Sequence, residues 1–517
     1  MQYLSVRSVS CYKSWHCRRL NVIVIAVILT SVVIGLVIWP IVTRVSAVAN
    51  SNSDNAARSR PLIDPDTPDS VKHKISADGA EYVLAFSDEF NTPNRSFHPG
   101  SDPYWTAVDL YYWGTEDLEY YKPTHVTTVA LPSGNKGEGK NGALEIKITK
   151  DRVGDQAYTS GMLQSWNQFC FQGGIVELSV SLPGSGTAAG FWPAAWLLGN
   201  LGRAGYGATT DGTWPYSYSS CDAGVLPNQS DPLLSSLPGQ RLNSCPLQRS
   251  SNSALDDADS SEGHGYHPSP GKGRGAPEID IFEGSFDTDR RSPTIAQSLQ
   301  AAPFNFNRLA NASGFRIPSN IAETNGTMST TFNRFMGSKL QQTISALTTL
   351  NNDPHILASF YNKANRSDHG TDSTAFQTFA MEYSPKTAGN DSHVRWSINS
   401  TMTMHIDSSA LGPDRDSHVG QRLVPEEPMS IILNLAISRT FGAVETELID
   451  AELPAAMYVD YIRVYQHPDR IKTSCDPPDY PTKEYIERHA KAYADPSRHT
   501  WNQTGYAWPE YTMSNIY

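Results

Sequence analysis

Residues 175–182 read IVELSVSL, and every second residue from Val176 to Leu182 is apolar while the residues between them are polar. A period of two places the apolar side chains on one face of a β-strand and the polar side chains on the other. Long amphipathic helical stretches are scarce, and this favours an all-β sandwich. The same alternation recurs in residues 143–150 (ALEIKITK), 429–438 (MSIILNLAIS) and 458–466 (YVDYIRVYQ).

Three stretches depart from this alternation. Residues 250–275 are rich in Ser, Gly, Asp and Pro, so they are expected to form an irregular loop. Residues 320–350 are rich in Thr, Ser and Asn, and they are expected to be irregular with a short helix near their end. Residues 482–493 are a helix candidate, and the aromatic residues after them indicate a tail that packs on the body, with an unstructured tail as the alternative.

The chain has 517 residues, with 41 basic against 53 acidic side chains and a formal net charge of −12. This acidic balance argues against nucleic acid as the main partner. Charged residues make up 18% of the chain and aromatic residues 10%, which excludes a disordered or coiled-coil protein. The charge is unevenly placed, because residues 1–44 hold five cations and no acid.

Residues 20–42 (LNVIVIAVILTSVVIGLVIWPIV) form an uncharged run of 23 positions. A helix of this length spans a hydrocarbon core of about 30 Å. Four of the five nearby cations precede the run, which predicts a single-pass type II membrane protein in the secretory pathway or at the plasma membrane, with a lumenal or extracellular body. A cleaved signal peptide is the alternative, because small residues follow at 47–49, although such hydrophobic regions are shorter, about 7–15 residues.

Residues 43–79 are polar and lack periodicity, so they are interpreted as a stalk or linker. The strand-like pattern begins after them and continues through most of the remaining chain. The predicted division is a cytoplasmic tail (1–19), a transmembrane anchor (20–42), the stalk (43–79), a β-sandwich (80–467) and a C-terminal extension packed on the sandwich (468–517).

Sequons and cysteines agree with export of the body. Cys11 and Cys17 precede the anchor, whereas Cys170, Cys221, Cys245 and Cys475 would lie in an oxidising compartment and allow two disulfides in three connectivities. The sequence does not choose among these connectivities. Neither a Cys-X-X-Cys motif nor a His cluster indicates a metal site, so no cofactor is expected, and a structural calcium on the sandwich is left open. Eight candidate glycosylation sites follow the anchor, at Asn94, Asn228, Asn311, Asn325, Asn365, Asn390, Asn399 and Asn502.

The stretch 275–284 (GAPEIDIFEG) concentrates acidic residues in a strand-like segment. Glu278 and Asp280 share one strand face, and a single β-bulge before Glu283 would place the third acid on that face as well. Three carboxylates so close repel one another, so the pKa of at least one must be raised. A retaining glycosidase needs one ionised carboxylate beside one protonated carboxylic acid. An exposed strand face or a cation site is the alternative interpretation.

The segment from Glu278 to Glu283 resembles the Glu-X-Asp-X-X-Glu signature of glycoside hydrolase family 16. The resemblance covers roughly residues 80–517, and the flanking motifs are similar to those of fungal β-1,6-glucan synthesis-associated (killer-toxin-resistance type) membrane proteins. It implies a concanavalin-like β-jelly-roll sandwich with long loops, preceded by one transmembrane helix. The motifs that carry the resemblance are residues 160–170 (SGMLQSWNQFC), 190–196 (GFWPAAW), 214–218 (WPYSY), 221–224 (CDAG), 273–278 (GRGAPE), 297–303 (QSLQAAP), 457–465 (MYVDYIRVY), 475–480 (CDPPDY) and 503–509 (QTGYAWP).

The resemblance also implies an activity and roles for the acids. It suggests a retaining glycosidase or transglycosylase that acts on β-glucan in assembly of the fungal cell wall, with β-glucan polysaccharide or oligosaccharide as its partner. Glu278 would be the nucleophile, Glu283 the general acid/base and Asp280 their assisting partner. A non-catalytic glucan-binding or scaffold protein of the synthesis machinery is the competing hypothesis.

Four further residues are candidates for substrate binding. Trp192, Trp196 and Trp166 offer flat aromatic faces that match the apolar faces of pyranose rings, and packing in the core is the alternative. Trp192 and Trp196 are four residues apart, so on a strand they share one face. Glu119 resembles an acid that lines the cleft in the family, and a surface salt bridge is the alternative.

Overall fold

The strands predicted by alternation are joined by many shorter ones. The computed structural model describes residues 60–131, 142–226, 239–245, 265–304, 308–318, 326–363, 376–385 and 392–509. The strands are β1 (His73–Ile75), β2 (Glu81–Asp88), β3 (Thr106–Ala107), β4 (Leu110–Tyr111), β5 (Glu119–Tyr121), β6 (Val126–Ala130), β7 (Gly142–Ile148), β8 (Tyr158–Ser160), β9 (Met162–Gln164), β10 (Gly174–Ser181), β11 (Phe191–Gly199), β12 (Glu278–Asp287), β13 (Ser292–Ala301), β14 (Phe315–Arg316), β15 (Met328–Phe332), β16 (Gln342–Leu350), β17 (Gln377–Ser384), β18 (His393–Ile398), β19 (Thr401–Asp407), β20 (Met429–Ile437) and β21 (Ala455–Gln466).

Helices in the described ranges are short. The α-helices are α1 (Gly207–Thr210), α2 (Pro354–Phe360), α3 (Thr446–Glu452), α4 (Lys483–Arg488) and α5 (Ala490–Ala494). The 3₁₀ segments are Asp69–Val71, Trp113–Thr115, Pro123–His125, Ala223–Val225, Ser408–Leu411, Pro468–Arg470 and Trp501–Thr504.

Two large antiparallel sheets form the body. A ten-stranded sheet has the order β1-β2-β21-β10-β17-β18-β19-β14, with β7 paired to β21 and β6 paired to β7. An eight-stranded sheet has the order β15-β16-β13-β12-β11-β20-β9-β3. A small sheet, β4-β5-β8, contains the parallel pair β5 and β8. Many neighbours in these sheets are distant in sequence, so the sheets depend on long-range pairing.

The interior between the two large sheets is apolar. Val176, Leu178 and Val180 of β10 are fully buried and belong to the same cluster as Ile279 and Ile281 of β12. Burial of one such side chain contributes about 1.5–3 kcal/mol. The all-β prediction is therefore confirmed, because period-two alternation marks the inward face of the strand.

The structure corrects the prediction for the Thr-rich segment before residue 350. Residues 320–350 are expected to be irregular, but their described part contains β15 and β16, and the helix α2 begins only at Pro354. Threonine is β-branched and favours strands, and its hydroxyl can bond across a strand pair. The Oγ1 atoms of Thr330 and Thr348 make such a contact at 2.9 Å.

The body begins earlier in the chain than predicted. Residues 43–79 are predicted to be a stalk, but β1 within them pairs with β2. Asp64 is buried, its N–H donates to Ser87 Oγ (2.9 Å), and the N–H of Glu89 donates to Asp64 Oδ2 (3.1 Å). The described residues from Pro61 onward form one compact unit, so residues 61–79 belong to the body despite their polar composition.

The predicted tail and anchor, residues 1–19 and 20–42, lie outside the described residues, as do Cys11 and Cys17. Across the ranges that the structure covers, no helix combines the length and the apolar character needed to cross a bilayer.

The C-terminal extension, described as far as residue 509, packs on the body. Residues 482–493 are predicted to form one helix, but the helix breaks at His489 into α4 and α5. Trp501 and Tyr506, which follow, are buried in one cluster with Leu201, and the partly buried Trp508 packs against it. Tyr511 and Tyr517 lie outside the described residues. Two disulfides form among the four cysteines, Cys170–Cys475 and Cys221–Cys245, and the first ties the extension to the body.

Candidate active site

The three candidate acids lie on one bulged strand. In β12 the pairing with both neighbouring strands shifts by one residue between Asp280 and Glu283. The consecutive residues Ile281 and Phe282 both belong to the core cluster, which is the outcome of one inserted residue. The bulge therefore places Glu278, Asp280 and Glu283 on the face of the sheet that points away from the core.

An indole donates a hydrogen bond to each of the two glutamates. Trp214 Nε1 lies 2.8 Å from Glu278 Oε2, and Trp192 Nε1 lies 3.1 Å from Glu283 Oε1. An indole nitrogen can only donate, so each contact favours the ionised carboxylate. Trp192 comes from the adjacent strand β11, whereas Trp214 comes from the loop that follows it.

Asp280 is held by side chains of the next strand, β13. Ser298 Oγ and Gln300 Nε2 donate to Asp280 Oδ2 at 2.7 and 3.0 Å. Ser298 Oγ also lies 3.4 Å from Glu283 Oε2, and Thr343 Oγ1 of β16 donates to Gln300 Oε1 at 2.7 Å. These bonds fix the aspartate between the two glutamates.

Burial raises the pKa of all three carboxyl groups. For Glu278 and Glu283, loss of hydration is the first cause and the charge of Asp280 is the second, and the pKa of each lies well above its usual range. Burial raises the pKa of Asp280 to about 6, although Ser298 and Gln300 act against this shift. The contact between Glu278 and Asp280 raises the pKa of Glu278 and lowers the pKa of Asp280, so the two carboxyl groups do not titrate independently.

The structure brings some of the predicted substrate residues to the acids. Trp192 is half-buried and stacks on Phe441 with ring centroids 3.9 Å apart. Trp196 shares an apolar cluster with Trp192 and Trp214, but it is only 9% exposed and its Nε1 donates to Asn434 Oδ1 (2.9 Å). The position of Trp196 favours the alternative that it packs beneath the site.

The described contacts of Trp166 do not include the three acids. Its ring stacks on Tyr493 of the C-terminal extension (centroids 5.5 Å apart), its Nε1 donates to Asn200 O (3.0 Å), and the Arg203 guanidinium lies 4.5 Å from its ring centre. The prediction that Trp166 is a sugar platform at the acids therefore lacks support from its position.

Glu119 is fully buried, so the alternative of a surface salt bridge is wrong. Its Oε2 accepts the N–H of Ile437 (2.9 Å), and burial together with the neighbouring Asp117 raises its pKa well above the usual range. Tyr121 OH donates to Asp117 Oδ2 (3.0 Å). Glu119 thus belongs to a buried acidic pair, and none of its described hydrogen bonds reaches the three acids.

Sequence reasoning missed four residues at the site. Three of them, Trp214, Ser298 and Gln300, lie within motifs that carry the family resemblance. No local sequence pattern links these three residues to the acids. Tyr112, the fourth, packs on the same cluster as Trp192 and Trp214, and the charge of Glu278 helps to raise its pKa. Ser298 and Gln300 are two residues apart on a strand, which is the signal that could have placed them on one face.

The remaining predicted residues lie elsewhere. Within the described ranges, no group of three or more His, Cys, Asp or Glu side chains has an arrangement suited to a metal ion. A cavity of about 270 Å³ opens at the ends of β10, β17 and β21, and none of the three acids lines it.

Among the candidate glycosylation sites, Asn94, Asn311, Asn399 and Asn502 are exposed, and Asn228, Asn325, Asn365 and Asn390 lie outside the described residues.

The all-β body and the acid cluster on its bulged strand define a β-sandwich protein with a candidate carboxylate active site. The chain belongs to the family described as beta-glucan synthesis-associated protein SKN1/KRE6/Sbg1, whose model matches residues 4–516.

Relatives of this family are similar over most of the chain. The "Beta-glucan synthesis-associated protein KRE6" of Saccharomyces cerevisiae is 41% identical over 451 residues, which are 87% of this chain and 55% of that protein. The protein of the same name from Candida albicans is 39% identical over 461 residues, which are 87% of this chain and 55% of that protein. The chain therefore spans about half the length of the curated relatives it matches.

Bacterial and archaeal glucanases are more distant. The "Endo-1,3-1,4-beta-glycanase EglC" of Rhizobium meliloti is 30% identical over 157 residues, which are 27% of this chain and 30% of that protein. The crystal structure of the endo-β-1,3-glucanase from Pyrococcus furiosus superposes with a TM-score of 0.40 at 17% identity, and covers 79% of this chain and 100% of that one.

Proposed function

We propose that the chain is a retaining glycosidase or transglycosylase that acts on β-glucan and contributes to β-1,6-glucan assembly in the fungal cell wall. The observation that carries the proposal is the bulged strand β12, which gathers Glu278, Asp280 and Glu283 on one face. Family membership supports glucan as the substrate class. A lectin would gain nothing from holding three repelling carboxyl groups side by side, so the cluster favours catalysis over binding alone.

In this mechanism the two glutamates act on opposite sides of the scissile bond. Glu278 attacks the anomeric carbon, and Glu283 gives its proton to the leaving oxygen as the glycosidic bond breaks. Glu283 then takes the proton of the acceptor, whose oxygen displaces Glu278 from the anomeric carbon. Water as the acceptor gives hydrolysis, and a glucan hydroxyl gives transfer.

The surroundings of each acid suit its role. Glu283 holds its proton because burial and Asp280 raise its pKa, as a general acid requires. Glu278 must be ionised to attack, and the indole N–H of Trp214 favours its ionised form. Asp280 lies between the two glutamates and affects the pKa of both.

Trapping of the glycosyl-enzyme tests the proposal. We expect a 2-deoxy-2-fluoroglucoside with a reactive leaving group to add one fluoroglucosyl mass to the peptide that contains Glu278, because the fluorine slows release more than formation of the covalent state. The purified body is also incubated with defined β-1,3- and β-1,6-gluco-oligosaccharides, and shortened or elongated products are identified by mass. Binding of these oligosaccharides without any product or adduct would contradict catalysis and support the glucan-binding scaffold.

We further propose that residues 20–42 anchor the protein as a single-pass type II membrane protein with the body in the secretory lumen or outside the cell. The uncharged run and the cations before it support this arrangement. After alkaline carbonate extraction of membranes we expect the full chain in the pellet. Release of the body into the supernatant would instead indicate cleavage after a signal peptide.

A further inference from the structure

The loop of residues 200–216 delivers Trp214 to the candidate nucleophile. It follows β11 and contains the single-turn helix α1, after which the N–H of Trp214 donates to Thr210 O (2.9 Å). One helical turn fixes several backbone dihedrals for very few hydrogen bonds, so it is unstable without contacts from elsewhere. The position of Trp214 on Glu278 therefore depends on what holds this loop.

The C-terminal extension supplies contacts along the whole loop. Its backbone and side chains bond to groups before, within and immediately after α1. These contacts are Tyr493 OH to Leu201 O (2.6 Å), Ala208 N to Arg498 O (2.9 Å) and Trp501 N to Asp211 Oδ2 (2.7 Å).

Asp211 connects the loop of residues 200–216 to the C-terminal extension. Its carboxylate accepts the N–H of Trp501, and its backbone oxygen accepts a bond from the Arg241 guanidinium. That guanidinium is fully buried and lies 3.8 Å from the centre of the Trp501 ring. Trp214 follows Asp211 by three residues, so a shift of the Asp211 backbone would also shift the Trp214 indole.

The extension is itself fixed at its start. The disulfide Cys170–Cys475 joins it to the body. Asn200, the first residue of the loop, donates through Nδ2 to Cys475 O (3.3 Å) and to Thr482 Oγ1 (2.9 Å). The contacts with the loop are therefore made by a segment that a disulfide attaches covalently to the body.

We propose that residues 468–509 are a positioning element for the candidate nucleophile, because they hold the loop that keeps Trp214 against Glu278. The inference rests on the proposed function of Glu278. The bond from Trp214 lowers the pKa of Glu278 against the effects of burial, Asp280 and Glu283. Loosening of the extension would weaken this bond and raise the pKa. The charged and titratable groups around Glu278 are Asp280 and Glu283 on its own strand and Tyr112 from the loop after β4.

Asp211→Ala tests this inference in the full-length chain, with Asp469→Ala as the matched control. Asp469 is an exposed aspartate of the extension whose carboxylate lies 3.8 Å from His467 Nδ1, so the control removes a carboxylate of the extension that does not contact the loop. We expect hydrogen exchange of peptides covering residues 207–216 to become several-fold faster in Asp211→Ala and to stay unchanged in the control. Asp211→Asn keeps an oxygen acceptor for Trp501 N–H and should behave like the parent protein.

The protonation of Glu278 provides a second readout that does not depend on turnover. Carbodiimide modifies protonated carboxyl groups, so its reaction with the Glu278 peptide is followed by mass across a range of pH. We expect Trp214→Phe to move the midpoint upward by about one pH unit, since it removes a hydrogen bond to the charged form. Asp211→Ala should move it in the same direction, and the double variant should move it no further than Trp214→Phe.

The outcomes separate the inference from the proposed function. An unchanged Glu278 midpoint in Asp211→Ala, beside a shift in Trp214→Phe, would overturn the positioning role. So would a shift of equal size in the Asp469→Ala control. If the expected shifts appear but the parent protein neither forms products nor is trapped, the proposed catalysis fails while the positioning of Trp214 stands.

Discussion

Glu278→Gln is expected to reduce turnover of β-gluco-oligosaccharides by at least about 10³-fold. The amide keeps the size of the side chain and can still accept the indole N–H of Trp214, but it cannot attack the anomeric carbon. Initial rates of product formation by mass or reducing-end analysis measure the effect, and the fluoroglucosyl adduct should disappear with the activity.

The same substitution should not destabilise the fold. Burial raises the pKa of Glu278 above its unfolded value, so ionisation of this group disfavours the folded state as the pH rises through the unfolded pKa. Glutamine removes this penalty, and we expect the thermal midpoint at pH 7 to be equal to or above that of the parent protein. A loss of activity together with a lower thermal midpoint would indicate that the variant misfolds, so the loss could not be assigned to the missing nucleophile.

Glu145→Gln is the matched control for this prediction. Glu145 is a half-buried glutamate of β7 in the ten-stranded sheet, and its Oε1 accepts a bond from Tyr458 OH (3.2 Å). We expect its turnover to match the parent protein. Unchanged turnover in Glu278→Gln would remove Glu278 from the mechanism.

The acid cluster could be predicted because its pattern is local. Glu278, Asp280 and Glu283 lie within six residues, and the parity of a strand requires one bulge if all three are to share a face. The structure has that bulge at the expected place, with Ile281 and Phe282 both turned into the core. Strand alternation and the acid face are properties of neighbouring residues, and a sequence shows these directly.

The partners of the acids could not be predicted because they depend on chain segments far apart. Trp214 precedes Glu278 by 64 residues and reaches it only through a loop that the C-terminal extension supports. Trp166 was a reasonable candidate by its chemistry, but the same extension covers it through Tyr493. Composition also gives the wrong prediction at residues 61–79, because this polar stretch is held to the body by the buried hydrogen bonds of Asp64.

Breaking the buried ion pair between Arg274 and Glu427 is expected to lower the free energy of unfolding strongly. The two side chains are almost completely buried, with bonds of 2.7 Å from Nε to Oε1 and 2.8 Å from Nη2 to Oε2. Arg274 Nη1 also donates to Pro481 O (3.0 Å), and the N–H of Gly275 donates to Glu427 Oε1 (3.2 Å). The pair thus joins the extension to the residues just before β12.

Glu427→Gln should lower the free energy of unfolding by about 3–5 kcal/mol, because it leaves the guanidinium charge of Arg274 buried without a counter-charge. The midpoint of urea unfolding, followed by tryptophan fluorescence, measures the change. Replacing both partners, as in Arg274→Met with Glu427→Leu, should recover part of the loss, since it removes the unpaired charge.

The exposed pair of Arg488 and Glu484 on α4 provides the matched control. It has similar geometry, with 2.7 Å between Nη2 and Oε1, but the side chains are 39% and 57% exposed. Water and salt screen such a pair, so Glu484→Gln should change the free energy of unfolding by less than about 0.5 kcal/mol. A comparable change for the two substitutions would mean that burial of the Arg274–Glu427 pair does not hold the extension and the start of β12 together.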